Sequence, residues 1–189
     1  MTKKLNNKGF TFVELLCTIV IVLLLTACIT MGIGLGSKTF DKTYKFTKAQ
    51  TLASTLNYLI SEELRTATDL TIDNGVLEKY RSENYGKNVA MTVGSGENEE
   101  GYNKGRIVVV RGDPDDPYDV AGNVYTFGAS KLYGDNLQVK GDTFTVEITG
   151  DQKTFKVHFD IIDKRDPNTS LVKSDFQVKR WKSSDTELQ

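Results

Sequence analysis

The sequence predicts an α+β fold, in which one long N-terminal α-helix packs on a head built from an antiparallel β-sheet. Two observations predict the helix: residues 10–36 are almost entirely apolar, and apolar residues then recur at helical spacing without glycine or proline between Ser37 and Asp69. A third predicts the sheet, because the rest of the chain consists of short alternating runs separated by turn residues. One helix followed only by strands places the helix on one face of an antiparallel sheet.

The predicted helix extends from Phe10 to about Thr68 and has two parts. The first part, residues 10–36, is longer than the ~20 apolar residues that cross a bilayer. The second part is amphipathic, because a stripe of apolar residues is interleaved with charged and polar ones. The stripe consists of Phe40, Tyr44, Leu52, Leu56, Leu59 or Ile60, Leu64 and Ala67. We expect this stripe to pack on the sheet.

Short runs rich in β-branched and aromatic residues predict the strands of the head. They lie at residues 70–72, 76–77, 89–93, 106–111, 144–148, 155–161, 171–172 and 176–181. Asp73-Asn74-Gly75 separates the first two and is a hairpin turn signal. Gly150-Asp151 separates the fifth and sixth, and the last two form one strand or a hairpin.

Lys3, Lys4 and Lys8 precede the apolar segment and predict its orientation. By the positive-inside rule they hold the N-terminal end in the cytoplasm, so the head is exported. Residues 37–189 carry 21 basic and 24 acidic groups, a net charge of −3. Since nonspecific binding to nucleic acid requires a basic excess, we do not expect the head to bind it in this way.

Both cysteines, Cys17 and Cys28, lie within the apolar segment. The exported head therefore has no disulfide and depends on its hydrophobic core. Small apolar packing is the expected role of these two thiols, because free cysteine behaves as a small hydrophobic residue.

Glu14 is the one ionisable residue of the apolar segment. A carboxylate in a membrane helix costs on the order of 2.5–3.5 kcal/mol on insertion scales, so Glu14 is a functional candidate. The alternative is a tolerated charge near the helix end that reaches the membrane interface.

The stretch Lys8-Gly9-Phe10-Thr11-Phe12-Val13-Glu14-Leu15-Leu16 resembles the class III signal of type IV prepilins and pseudopilins. That family has glycine before the cleaved bond, phenylalanine after it, and glutamate as the fifth residue of the mature chain. The resemblance implies that a prepilin peptidase cuts after Gly9 and that Phe10 becomes the N-methylated N-terminus. It also implies that Glu14 neutralises the terminal amine of Phe10 on a neighbouring subunit during filament assembly.

Other kinds of N-terminal signal fit the residues less well. A plain signal anchor leaves Glu14 unexplained. A cleaved secretory signal has a hydrophobic core of only about 7–15 residues, followed by a small-residue cleavage site. Leu25-Thr26-Ala27-Cys28 resembles a lipobox, but residues 29–36 stay apolar after the cysteine, where a lipoprotein turns polar.

Two features depart from the pattern of many pilins. The apolar segment has no helix-bending proline and instead carries Gly32, Gly34 and Gly36, which either concentrate flexibility or mark the exit from the membrane. The head also lacks the cysteine pair that closes a C-terminal loop in many pilins. The means by which the C-terminal region is held is therefore left open.

The head offers few candidate sites. The acidic loop with Asp113, Asp115, Asp116 and Asp119 could supply oxygen ligands to Ca²⁺, although its spacing does not fit an EF-hand and a plain solvated loop is the alternative. Arg111-Gly112-Asp113 matches an adhesion tripeptide too short to carry weight. His158, the only histidine, is expected to be solvated on a strand.

A recognition surface of exposed aromatic residues is the remaining candidate: Tyr80, Tyr85, Tyr102, Tyr118, Tyr125, Tyr133 and Trp181.

These observations lead to one expected organisation: a leader at residues 1–9, a transmembrane and filament-core helix at 10–36, and a pilin-like head at 37–189. We expect a structural subunit, a minor pilin, with no enzymatic activity and no cofactor. Its partners would be other pilin subunits, the prepilin peptidase and, before assembly, the cytoplasmic membrane; the mature chain would then enter an extracellular filament. The alternatives are a tip adhesin or DNA-capture pilin, a pseudopilin of a competence or secretion system, and a membrane-anchored lipoprotein.

Overall fold

The computed structural model describes residues 11–94, 104–111, 123–128, 130–134, 136–150 and 153–181. Helix α1 spans Phe12–Arg65, and a single turn of helix, α2, spans Ser130–Tyr133. The nine strands are β1 (Thr68–Asp73), β2 (Val76–Ser82), β3 (Gly86–Val93), β4 (Ile107–Arg111), β5 (Asn123–Thr126), β6 (Leu137–Val139), β7 (Thr145–Ile148), β8 (Thr154–Asp163) and β9 (Asp166–Lys179). A 3₁₀ turn at Gly141–Thr143 precedes β7.

The strands form one curled antiparallel sheet, which confirms the predicted α+β class. Its hydrogen-bonded order is β5-β4-β3-β2-β7-β8-β6, with β1 added to β2 and β9 added to β8. β8 and β9 form the longest pairing, with a register that runs from Thr154 opposite Lys179 to Asp163 opposite Asp166.

The chain divides into two compact units, Met1–Tyr44 and Lys45–Gln189. The described part of the first unit is helical throughout after Thr11. The second contains the remainder of α1 and all nine strands. The predicted borders after residues 9 and 36 stay predictions.

The hydrophobic core lies in the second unit, between one face of α1 and one face of the sheet. The helix contributes residues at spacings of three and four, and β8 contributes alternate residues, as each type of structure requires. These buried residues include Ala49, Leu52, Leu56, Ile60 and Leu64 of α1 and Phe155, Val157, Phe159 and Ile161 of β8.

The first hairpin forms as predicted. Asn74 has φ 49° and Gly75 has φ 83°, and they connect Asp73 to Val76, which are paired across the turn. A two-residue loop with both φ values positive is the type I′ turn, whose twist matches that of the strands.

One prediction of local structure was wrong, and two short strands were missed. Phe40 and Tyr44 are 69% and 51% exposed, because helical spacing records which side chains share a face and not whether anything covers it. Their rings stack on each other instead, with centroids 6.2 Å apart. The sequence also failed to predict β5 and β6, which have four and three residues. The last two predicted runs form one strand, which is the first of the two alternatives, although β9 begins earlier than predicted and is continuous over 14 residues.

Candidate functional site at the start of the long helix

Thr11 and Glu14 bond to each other at the start of α1. The Thr11 hydroxyl donates a hydrogen bond to Glu14 Oε2 at 2.9 Å, and the Thr11 backbone N–H donates to the same oxygen at 3.0 Å. In return, the Glu14 backbone N–H donates to Thr11 Oγ1 at 3.3 Å. This reciprocal arrangement is a capping box, in which two backbone N–H groups without helical partners are satisfied by side chains.

The capping box fixes the position of the Glu14 carboxylate. The carboxylate lies in the first turn of α1, where the partial positive charge of the helix start favours an anion. Thr11 is a residue that the sequence reasoning missed, although threonine followed three residues later by glutamate is the signal that would have found it. The predicted cleavage site, Gly9 and Phe10, and the leader lysines lie outside the described residues.

The residues that follow Thr11 present an uncovered apolar surface. Every residue from Thr11 to Tyr44 is exposed, including Phe12 at 73% and Leu24 at 63%. Part of α1 is long and apolar enough to cross a membrane, and none of that stretch is buried within the chain. Because soluble monomers rarely expose a contiguous apolar surface of this extent, lipid or other helices must cover it.

The three glycines of the apolar segment do not interrupt the helix. A Cβ placed at Gly32, Gly34 or Gly36 would meet no atom within 4 Å. Packing within the described chain therefore does not require glycine at these positions. Cys17 and Cys28 are free and exposed on the same segment.

The candidate sites predicted in the head fall into two groups. Asp113, Asp115, Asp116 and Asp119 lie outside the described residues, so a calcium site there stays a prediction; Gly112 of the adhesion tripeptide lies outside them as well. Among the described residues, no three His, Cys, Asp or Glu side chains are grouped to hold a metal ion.

The aromatic residues predicted as a recognition surface are divided between core and surface. Tyr80 and Tyr133 are 1% exposed, and burial raises the pKa of both hydroxyls, that of Tyr133 to about 12. The Tyr133 hydroxyl also accepts a hydrogen bond from the Ile107 backbone N–H at 3.1 Å. Tyr125 and Trp181 remain exposed, at 40% and 71%. Tyr102 and Tyr118 lie outside the described residues.

Glu63 is a buried carboxylate that the sequence reasoning did not single out. It is 3% exposed, and its Oε2 accepts a hydrogen bond from Asn84 Nδ2 at 3.1 Å. Burial is the main cause that raises the pKa of Tyr80, and the negative charge of Glu63 is the second. Its position between Ile60 and Leu64, within the apolar stripe, was the signal that could have identified it.

His158 lies partly exposed on a strand, as expected, but it also has two charged neighbours that the sequence did not indicate. Its side chain is 36% exposed and lies between two carboxylates, with Nδ1 2.5 Å from Asp175 Oδ1 and Nε2 3.4 Å from Asp160 Oδ1. Strand pairing explains the first contact, because His158 of β8 is directly opposite Asp175 of β9.

The end of β9 is attached to the end of α1 without a disulfide. The Trp181 backbone N–H donates to the Arg65 carbonyl at 2.9 Å, and Arg180 Nε donates to the Ala67 carbonyl at 3.2 Å. The Arg65 guanidinium also lies over the Trp181 ring, 5.5 Å from its centroid. These bonds satisfy carbonyl groups near the end of the helix, where the last carbonyls have no N–H partner within the helix. They hold the C-terminal region as far as Trp181.

Comparison with known proteins gives one result, at the N-terminus. The family model for the prokaryotic N-terminal methylation motif matches residues 4–27, a range that contains Gly9, Phe10 and Glu14. No curated protein and no solved structure matches the chain significantly. The matched motif implies processing by prepilin peptidase and assembly with other pilin subunits, and with the apolar helix it fits a single-pass membrane anchor. The chain therefore carries, at its N-terminus, the class III prepilin signal of type IV pilins and pseudopilins.

Proposed function

We propose that this protein is a structural subunit, a minor pilin, of a type IV pilus or a related filament, and that it enters the filament through α1. The observation that carries the proposal is the uncovered apolar segment of α1, residues 12–36, which begins within the methylation motif and holds a single carboxylate, Glu14. An apolar surface of this kind is stable in a membrane and equally stable in a bundle of similar helices, so one segment serves both states.

We assign to Glu14 the role of determining the position of the subunit in the filament. A lone carboxylate in an apolar helix bundle is costly, whereas a carboxylate paired with an amine in a low-dielectric medium is attracted to it strongly. The proposed partner is the terminal amine of Phe10 on a neighbouring subunit. Since only one axial offset brings the two charges together, the pair also sets the register between helices.

We assign to Thr11 the role of orienting this carboxylate. Its two hydrogen bonds hold Glu14 Oε2 at the start of the helix before a neighbour is present. The subunit would thus wait in the cytoplasmic membrane with its head exported and then pass into an extracellular filament. The proposal includes no enzymatic step.

The minor role rests on the head and on the helix. The sheet-rich head without cysteines, and the apolar segment without proline, depart from the pattern of many major pilins. The near-neutral head gives no support to DNA capture by charge. Quantifying this chain against the other subunits in purified filaments tests the minor role directly; a stoichiometry equal to that of the bulk subunit would overturn it.

Three variants separate the charge of Glu14 from its capping role. Glu14→Ala removes both, Glu14→Gln keeps a side chain that completes a capping box, and Thr11→Val removes the capping hydroxyl but keeps the charge. We expect mass spectrometry to find a methylated Phe10 N-terminus in all three, with normal membrane insertion. Immunoblots of sheared filaments should show that both Glu14 variants are lost from filaments and that Thr11→Val is reduced.

Two outcomes contradict the proposal. Normal incorporation of Glu14→Gln would mean that the charge is not needed and that the carboxylate serves only as a helix cap. A native chain that is lipidated on Cys28, and not methylated on Phe10, would identify a lipoprotein and remove the filament role altogether.

A further inference from the structure

We infer that His158 and Asp160 form a binding site for a divalent transition-metal cation of the Zn²⁺ class, on the face of β8 opposite to the core. Phe159 and Ile161 point into the core, so His158 and Asp160, which alternate with them, share the other face. This site is independent of the filament role proposed for α1.

The imidazole of His158 is oriented for metal binding by Asp175. An ionised carboxylate only accepts hydrogen bonds, so the contact of 2.5 Å between Asp175 Oδ1 and His158 Nδ1 places the ring proton on Nδ1. In the neutral form of the ring, which is the form that binds a metal, the lone pair is then on Nε2. Histidines that bind metals almost always donate their other ring N–H in this way, often to a carboxylate.

Asp160 supplies an oxygen that has no hydrogen bond. The residue is 5% exposed, and its Oδ2 accepts a hydrogen bond from Ser170 Oγ at 2.5 Å. Its Oδ1 is buried and accepts no hydrogen bond from the described residues. Burying a carboxylate oxygen without a partner is costly, so the unsatisfied Oδ1 indicates a missing cation.

The separation of the two free atoms fits a shared metal better than a direct hydrogen bond. His158 Nε2 and Asp160 Oδ1 are 3.4 Å apart. A charge-assisted N–H···O bond is about 2.7–2.9 Å long, so this distance is too great for one. Two ligands at about 2.0–2.2 Å from a tetrahedral zinc ion are about 3.4 Å apart.

The donor atoms determine the class of cation. One imidazole nitrogen and one carboxylate oxygen suit Zn²⁺ and its transition-metal neighbours, whereas Mg²⁺ and Ca²⁺ prefer sites built entirely of oxygen. Because the chain contributes two ligands, water fills the remaining positions and the affinity is modest. Lys173, directly opposite Asp160 on β9, adds a positive charge that lowers the affinity further.

The test is a titration of the mature full-length chain in detergent with Zn²⁺ alone, followed by calorimetry, and with Co²⁺, followed by its visible absorption. The protein must carry no histidine tag, since His158 is its only histidine. We expect one bound ion per chain, which excess Ca²⁺ does not displace. His158→Gln should abolish binding, Asp160→Asn should weaken it at least tenfold, and Gln177→Ala, an exposed neighbour, should leave it unchanged.

Asp175→Asn tests the same metal site if Asp160→Asn fails to fold. The Asp175 side chain is 76% exposed, so the substitution is safe for folding. Loss of an outer partner of a metal-bound histidine typically weakens binding about 10–100-fold. No binding by the native chain, or equal binding by the native chain and both Asp variants, would mean that His158 pairs only with its carboxylates or acts as a lone surface histidine, and would overturn the inference.

Discussion

The two parts of α1 are both helical, but the rest of the chain covers the apolar side chains of only one of them. From Lys45 to Arg65 one face of the helix is buried by the sheet, and Leu52, Leu56 and Ile60 have no exposed surface. From Phe12 to Tyr44 every side chain is exposed, although this part is the more apolar of the two. The comparison teaches that a single helix can be stabilised over one part by its own chain and over the other by its surroundings.

One glutamate from each part, Glu14 and Glu63, illustrates the same division. Glu63 is buried and bonds within the chain to Asn84. Glu14 is exposed and contacts only Thr11, three residues away, among the bonds of the described residues. A carboxylate with only a local partner is available to a second molecule, whereas one enclosed by its own head is not.

The largest difference between the two parts should appear when a leucine is truncated in each. Leu56→Ala removes a fully buried side chain and should lower the free energy of unfolding of the head by about 2–5 kcal/mol. Leu24→Ala, at a position that is 63% exposed, should change it by less than about 0.5 kcal/mol. Urea unfolding in detergent, followed by near-UV circular dichroism from the buried tyrosines, measures both. Equal losses would mean that the apolar part of α1 is buried in the isolated chain.

A smaller effect is expected at the ion pair that joins α1 to the end of β8. Lys45 Nζ is 2.6 Å from Asp163 Oδ2, and the Asp163 side chain is only 6% exposed. Lys45→Met should lower the stability of the head by about 1–3 kcal/mol, because Asp163 loses its cation. Lys38→Met, in the exposed part of α1, is the matched control and should be neutral.

The same pair should make stability depend on acid. The hydrogen bond from Lys45, followed by the one from the Arg165 backbone N–H, lowers the pKa of Asp163 from its usual value. A carboxyl whose pKa is lower in the folded chain adds stability above its unfolded pKa and loses it as the pH falls through the folded pKa. Thermal melts from neutral pH downwards should therefore decline less steeply in Lys45→Met. An unchanged acid dependence would contradict the role of this pair.

The smallest effect should come from the junction of β9 with the end of α1. Trp181→Pro removes the N–H that donates to the Arg65 carbonyl and should cost about 0.5–1.5 kcal/mol in excess of Trp181→Ala. Trp181→Ala keeps that N–H and loses only an exposed contact with the Arg65 guanidinium, which is worth about 0.5–1 kcal/mol. Hydrogen exchange of amides at the end of β9 distinguishes the two. Identical protection in both variants would show that the backbone bond contributes nothing.

Most of the fold could be predicted from sequence because its main signals are local. The apolar segment, the helical spacing and Asn74-Gly75 each determine a structure over a few neighbouring residues. β5 and β6 could not be predicted, because strands of four and three residues carry too little alternation and exist through pairing with β4 and β8. The exposure of Phe40 and Tyr44 could not be predicted either, because the burial of a helix face depends on residues that are distant in the sequence.

The candidate sites divide in the same way. Glu14 was predictable because a charge within an apolar run is visible in the sequence, and Thr11 could have been found from its spacing. The environment of His158 was not predictable, since Asp175 reaches it through a register between strands that only the folded sheet defines.

The bond between Trp181 and Arg65 has a consequence for how such a protein can change over evolution. It brings the two ends of the segment between residues 65 and 181 to one point, so this segment leaves α1 and returns to it. Segments with adjacent ends tolerate insertion and exchange, because replacing one does not move the attachment points. An insertion in this segment leaves its two attachment points in place, whereas the strands that cover the apolar face of α1 from Ala49 to Leu64 must keep their fit to the helix.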